Sequence, residues 1–179
     1  MSESELLQQL KSQDTRERAF RELVSRYSER LYWHIRRTVI NHDDTDDVLQ
    51  NTFIKIYRNI EGFKGESSLF SWMYRIAINE SISFLNSKSR RQGLNNTELQ
   101  QSLVANLHAD PYFNGDEAAL KLQHAIATLP EKQKTVFNMK YFEALSYEEI
   151  SEILETSVGA LKASYHHAVK KIEQFLSED

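Results

Sequence analysis

The sequence predicts an all-α fold: apolar residues recur at three- and four-residue spacing along most of the chain, and only 2 prolines and 5 glycines interrupt 179 residues. Hydrophobic residues make up 40% and aromatics 11%, enough to build packed cores. Because a helical unit of roughly 60 to 80 residues can just bury a usable core, the length suits two small domains. The expected architecture is two small helical domains joined by a flexible linker, the second containing a helix-turn-helix.

The first long helix is expected to start near Asp14 and Glu17, with Phe20, Leu23, Val24, Tyr27, Leu31, Ile35 and Val39 as its apolar stripe. Asn41 to Asp44 reads as a turn and N-cap, and an acidic first turn there complements the helix dipole. The second stripe is Val48, Leu49, Thr52, Phe53, Ile56, Tyr57 and Ile60. Gly62 and Gly65 break the pattern around Phe63, and Ser67 or Ser68 can cap a third helix carrying Trp72, Met73, Ile76 and Phe84. That helix ends in the basic run Lys88 to Arg91.

From Gln92 to Gly115 the chain is rich in Asn, Gln, Asp and Gly, with Pro111, and shows no sustained period; it reads as a linker. Beyond it come a helix near Asp116 to Thr128, Pro130 opening another, and the apolar residues Val136, Phe137, Met139 and Tyr141. Ser146-Tyr147-Glu148-Glu149 is a capping-box pattern, followed by Ile150, Ile153 and Leu154. A short turn at Glu155 to Ser157 then leads into a last helix through Leu176, and helix, three-residue turn and helix is a helix-turn-helix signature. The domains expected are 1–92 and 116–179, with 93–115 between them.

Composition removes several classes. With no cysteine there are no disulfides, thiolate zinc sites or cysteine nucleophiles. No apolar run reaches the roughly 18 to 20 residues of a membrane span, and Met1 to Lys11 is too acidic for a secretory signal, so the cytoplasm is the expected location and direct membrane insertion is not expected. The net charge of -4 argues against a free-standing nucleic-acid binder, since such domains commonly have a pI above about 9. Charge is uneven, however. Arg75 to Arg91 holds Arg75, Lys88, Arg90 and Arg91 against Glu80 alone, and Ser157 to Lys171 holds three lysines and no acid, whereas acids gather at Asp43 to Asp47 and Glu143 to Glu155. Basic stretches suit phosphate and acidic ones a basic protein partner, which fits a DNA binder working inside a larger complex.

Several stretches carry chemistry that competes with a plainer structural role. The second helix of a helix-turn-helix enters the major groove with its N-terminal residues near base edges, here Ser157, Lys162, Ser164, His166 and His167. Asp43, Asp44, Asp46 and Asp47 fit the pattern by which prenyl-transferring enzymes hold magnesium diphosphate, but that chemistry needs a second carboxylate cluster and a larger cavity. A solvated helix start is the plainer reading. Trp72, Phe63 and Tyr74 beside Lys64, Arg75 and Asn79 suit a single-strand platform, although a tryptophan on a helical stripe is more often core. His166 and His167 are adjacent and point to different faces; no metal, cofactor or catalytic residue is expected.

Taken together, Phe20 to Tyr27, Asp46-Asp47-Val48-Leu49-Gln50-Asn51-Thr52-Phe53, Phe63 and Trp72-Met73-Tyr74-Arg75-Ile76-Ala77-Ile78-Asn79 resemble the −10-binding domain of extracytoplasmic-function RNA polymerase sigma factors. Leu129-Pro130 to Phe137, Leu145-Ser146-Tyr147-Glu148-Glu149-Ile150 and Ser157-Val158-Gly159-Ala160-Leu161-Lys162 resemble the −35-binding domain of the same family. The resemblance implies a non-enzymatic factor that binds core RNA polymerase and directs promoter-specific transcription initiation. Its implied polymerase contacts are Asp46, Asp47, Gln50 and Asn51. Its implied −10 contacts are Phe63, Lys64, Arg75, Asn79, Asn86, Arg90 and Arg91, and its −35 contacts Ser157, Lys162, Ser164, His166 and His167. An anti-sigma factor is a further implied partner. The family often has Asp where Ser83 stands, Arg at Asn86 and Ser164, and Thr at Ala160. The alternative function is a conventional helix-turn-helix regulator that binds duplex DNA without acting as a sigma subunit.

Overall fold

The structure, a computed structural model, describes residues 1–178. Helices α1 (Glu3–Lys11), α2 (Arg16–Val39), α3 (His42–Asn59) and α4 (Leu69–Gln92) form the first half, with a single 3-10 turn at Ile60–Gly62. Local chemistry sets their ends. Asn41 caps α3 by accepting from the Asp44 amide at 3.0 Å, Ser68 caps α4 by accepting from the Ser71 amide at 3.1 Å, and Gly93 ends α4 in the left-handed region at φ 68°. The two starts are those the sequence led one to expect, and α4 runs through Gln92, one residue past the basic run expected to end it. The start of α2 differs: Thr15 is its N-cap residue, without a side-chain cap, and the helix begins at Arg16.

Helix α1 has no counterpart in the sequence reading. It is closed by a capping box in which Ser2 and Glu5 each accept from the other's backbone amide, at 3.1 and 3.0 Å. Leu6 and Leu10, four residues apart, point together into the core at 0% exposure.

The second half comprises α6 (Glu117–Ala127), α7 (Glu131–Tyr141), α8 (Tyr147–Leu154) and α9 (Val158–Ser177). The expected capping box at Ser146 and Glu149 is present, both bonds at 3.1 Å. Pro130 precedes the first turn of α7 and Asp116 caps α6. Between α8 and α9 the chain turns at Glu155, φ 54°, with Ser157 capping α9.

Segment 93–115 is more structured than its composition led one to expect. It contains α5 (Asn96–Ala105), capped by Asn95, and a 3-10 turn at Leu107–Ala109. Leu99, Val104 and Leu107 are buried, and Val104 and Leu107 pack with Ile40 and Ala127. The helical stripe exists but is short, and the polar residues around it conceal it. Gln100 is buried as well, donating to the Thr38 carbonyl at 2.9 Å and accepting from the buried Lys134 ammonium. Burial pushes that ammonium down to about 8, only partly offset by Glu131.

The two halves share a core. Val136, Met139, Leu145, Ile150, Ile153 and Leu161 from the second half pack in one cluster with Leu23, Leu31, Met73 and Ala77 from the first. A second cluster of Ala125, Ile126, Leu129, Phe137, Ala168 and Ile172 belongs to the second half alone.

Candidate nucleic-acid interface

Five of the expected nucleic-acid contacts lie on one long helix, four of them on one face. Arg75, Asn79, Asn86 and Arg90 follow one another on α4 at spacings of four, seven and four residues, which turns them to one face of a 3.6-residue helix. Asn79, Asn86, Arg90 and Arg91 are exposed, with Arg91 off that face. Asn86 also accepts from the Asn96 amide side chain at 2.6 Å, tying α4 to the start of α5.

At the N-terminal end of this face, the segment between the 3-10 turn and α4 lines a cavity of about 300 Å³ with Gly62, Phe63, Lys64, Glu66, Ser67, Trp72 and Arg75. Lys64 and Glu66 are exposed and Gly65 sits at φ 74°, where a side chain would be strained. The aromatic residues are placed differently from an open stacking platform. Phe63 is 5% exposed and packs on Trp72 with centroids 5.1 Å apart, so it forms a wall of the cavity. Tyr74 is 2% exposed and faces inward, 4.2 Å from both the His34 and Phe70 rings. Trp72 is half-buried.

Arg75, at the edge of that cavity, is held by the other half. Arg75 Nε donates to the Ile153 carbonyl at 3.1 Å, Nη2 donates to the Glu152 carbonyl, and Nη1 pairs with Glu155 at 3.4 Å. Ser71 donates to Glu152 at 2.8 Å. Beneath these contacts, the Glu143 carboxylate accepts from His34 Nδ1 at 3.1 Å and from the Tyr74 hydroxyl at 3.2 Å, joining α2 and α4 to the α7–α8 loop. Burial first, and the Glu143 charge second, push the Tyr74 hydroxyl well above its ordinary range, so it remains a donor. Arg37 stacks over the Phe142 ring at 4.1 Å. Neither His34 nor Glu143 was singled out from sequence; nothing local marks two residues 109 positions apart as partners.

On α9, Ser157 is spent as the N-cap, accepting from the Ala160 amide at 3.3 Å. Lys162, His166 and His167 are exposed, and Ser164 is half-buried. Lys162 and His166, one turn apart, share a face, while Leu161, Ala168 and Ile172 are buried on the other side. The Lys162 ammonium lies 5.8 Å from the Tyr147 ring of α8. The geometry is that of a helix-turn-helix with its second helix open to solvent.

On α3, Asp46, Asp47, Gln50 and Asn51 are all exposed, and Asp46 lies 3.3 Å from His42. Asp44 instead turns toward α4 and pairs with Lys88 at 2.6 Å. The acidic edge adjoins an apolar groove that the sequence reading folded into the core. Tyr57 and Ile54 are each 41% exposed and line it with Phe20, Val24 and Phe53, and Gln50 stands at its border. Among the described residues no helix is long and apolar enough to cross a membrane.

Comparison with known proteins finds two matched stretches of the chain. Residues 23–91 match the family model for Sigma-70 region 2, and residues 119–172 match that for Sigma-70, region 4. The chain is 34% identical over 164 residues to an ECF RNA polymerase sigma-E factor of Haemophilus influenzae, covering 87% of this chain and 86% of that one. It is 29% identical over 175 residues to an RNA polymerase sigma-H factor of Pseudomonas aeruginosa, covering 89% and 86%. Two solved structures share the fold: CnrH in complex with the cytosolic domain of CnrY, at TM-score 0.69 and 23% identity over 97% of this chain and 96% of that one, and the Bartonella quintana sigma factor RpoE in complex with the anti-sigma factor NepR, at TM-score 0.66 and 19% identity over 89% and 98%.

Proposed function

The chain belongs to the extracytoplasmic-function class of RNA polymerase sigma factors, which direct transcription initiation, and on that premise we propose how its parts divide the work. Residues 1–92 form the domain that docks on core polymerase and receives the opened −10 strand, residues 116–179 form the domain that reads the −35 duplex, and 93–115 connects them. The observation that carries this reading is the separation of two exposed polar and basic faces, one along α4 and one on α9, each within a stretch that matches a different sigma region.

Polymerase supplies the chemistry, and this protein acts without catalysis, in the cytoplasm. Asp46, Asp47, Gln50 and Asn51 offer carboxylates and amides to basic and polar groups of the polymerase. Lys64, Asn79, Asn86, Arg90 and Arg91 follow the strand, and the cavity behind Phe63 takes a base once it has left the stack. Ser157, Lys162, Ser164, His166 and His167 face the −35 groove, Lys162 being the side chain able to bond guanine directly. An anti-sigma protein is a further partner; the Bartonella quintana protein of the same fold is held by one.

Run-off transcription tests the whole reading. Core polymerase plus this chain should yield a discrete transcript from a promoter carrying its −10 and −35 elements, and neither component alone should. DNA binding without any polymerase-dependent transcript would instead support a conventional helix-turn-helix regulator.

A further inference from the structure

Resting on the reading of the 62–68 segment as the receiver of an extruded −10 base, we propose that α1 belongs to the strand-capture apparatus, with Lys11 and Glu3 as positioning residues that set the shape of that cavity. The segment has little to hold it from within. It contains Gly62 and Gly65, around which an added Cβ would meet nothing within 4 Å, and its one ladder-type bond is Phe63 N–H to the Ile60 carbonyl at 3.2 Å. Its order comes from outside, and α1 supplies it at both ends.

At the entry, Lys11 Nζ donates to the Phe63 carbonyl at 2.7 Å, a bond spanning 52 positions in the chain. At the exit, the Glu3 carboxylate accepts from the Leu69 amide at 3.0 Å, satisfying one of the orphan donors of the first turn of α4. Arg16 pairs with Glu61 in the 3-10 turn and donates Nε to the Leu10 carbonyl at 2.9 Å, which locks the end of α1 to the start of α2. Fully buried Leu6 and Leu10 fix the helix against the core, so neither Lys11 nor Glu3 can shift without its anchor. Phe63 is thereby held as a wall, at 5% exposure against Trp72. A cavity near the lower end of the roughly 300–1,000 Å³ typical of small ligand sites discriminates bases only if that wall stands still.

The test uses holoenzyme assembled from core polymerase and full-length chain. Its binding is measured to −10 strands carrying each of the four bases in turn at the captured position, and to a −35 duplex. Lys11→Met keeps the aliphatic stem and removes the donor; Glu3→Leu removes the acceptor. Each should weaken the preferred −10 strand about tenfold, the effect of one charge-assisted bond, and flatten the preference among the four bases. Binding to the −35 duplex and to core polymerase should be unchanged, and Lys11→Arg, which restores a donor, should restore the preference. A wild-type base preference in both variants overturns the proposal, as does a loss shared equally by −35 and core binding, which makes α1 a brace of the fold only. Asn79→Ala separates the two levels: if it weakens strand capture while the α1 variants do not, only the role of α1 fails, and if none of the three does, the reading of the cavity fails with it.

Discussion

Replacing Glu143 by alanine tests what holds the halves together in the free protein. The carboxylate is 8% exposed and receives both His34 Nδ1 and the Tyr74 hydroxyl, whose residues are 3% and 2% exposed. Alanine leaves two buried donors without an acceptor, at about 1–3 kcal/mol each, and so should destabilise the closed arrangement by roughly 2–6 kcal/mol. Glutamine keeps an acceptor and should cost roughly half as much. The matched control is Glu155→Ala: its carboxylate is 74% exposed in the pair with Arg75, and exposed pairs are worth about 0–1 kcal/mol. Urea unfolding of the free chain gives the energies, and small-angle scattering gives the dimensions, about 16 Å in radius of gyration if compact. Should Glu143→Ala unfold at the wild-type midpoint and scatter as the wild type does, the buried cluster contributes nothing to closure and the argument is wrong.

Other outcomes follow from the same physics. Replacing Asp47 and Gln50 together by alanine should weaken core-polymerase binding by about 1–3 kcal/mol without changing helical content, because both are exposed on α3; circular dichroism beside a polymerase binding curve checks it. Lys162→Ala should weaken closed-complex formation by about 1–3 kcal/mol, and gel shifts should show that loss vanish when the −35 element is replaced. For Lys134, the unfolded chain keeps its proton up to about 10.5 while the folded chain releases it near 8, so unfolding takes up a proton in that window and stability should rise with pH across it. Lys134→Met should remove that rise between urea melts at pH 8 and pH 10, and below pH 8 it should relieve a desolvation cost of about 3 kcal/mol, less the cost of stranding Gln100.

What was legible in the sequence was whatever chemistry confines to a few neighbours. Asn41, Ser68 and Ser146 mark helix starts because a cap acts over three or four residues, so the starts of α3, α4 and α8 could be read directly, whereas Gly93 and Ser157 were read as linker and as a turn residue and prove to be caps. Helix α1 left the same kind of signal in Ser2, Glu5, Leu6 and Leu10, but two apolar residues on one short helix do not establish a period. Tyr57 shows the limit of periodicity: it continues the stripe of α3 yet lies 41% exposed, because a stripe states which face is apolar and not what covers it. Gln100, Lys134, His34 and Glu143 mark a deeper limit. Each is polar and belongs by type at the surface, and burial became affordable only through a partner on a distant helix, which no local pattern records.

The covering of Arg75 by the backbone of α8 acquires a different meaning when set beside the dimensions of a promoter. Elements centred about 25 base pairs apart lie about 85 Å from each other along B-form DNA at 3.4 Å per step, several times the radius of gyration of this chain when closed. On the proposed division of labour, a molecule whose halves are fastened by these contacts cannot span that distance, and free copies are expected not to bridge both elements of a promoter. On the same proposal, what free copies contest is polymerase, and both elements are reached together once the contacts of Arg75 and Ser71 with α8 have opened on that larger frame.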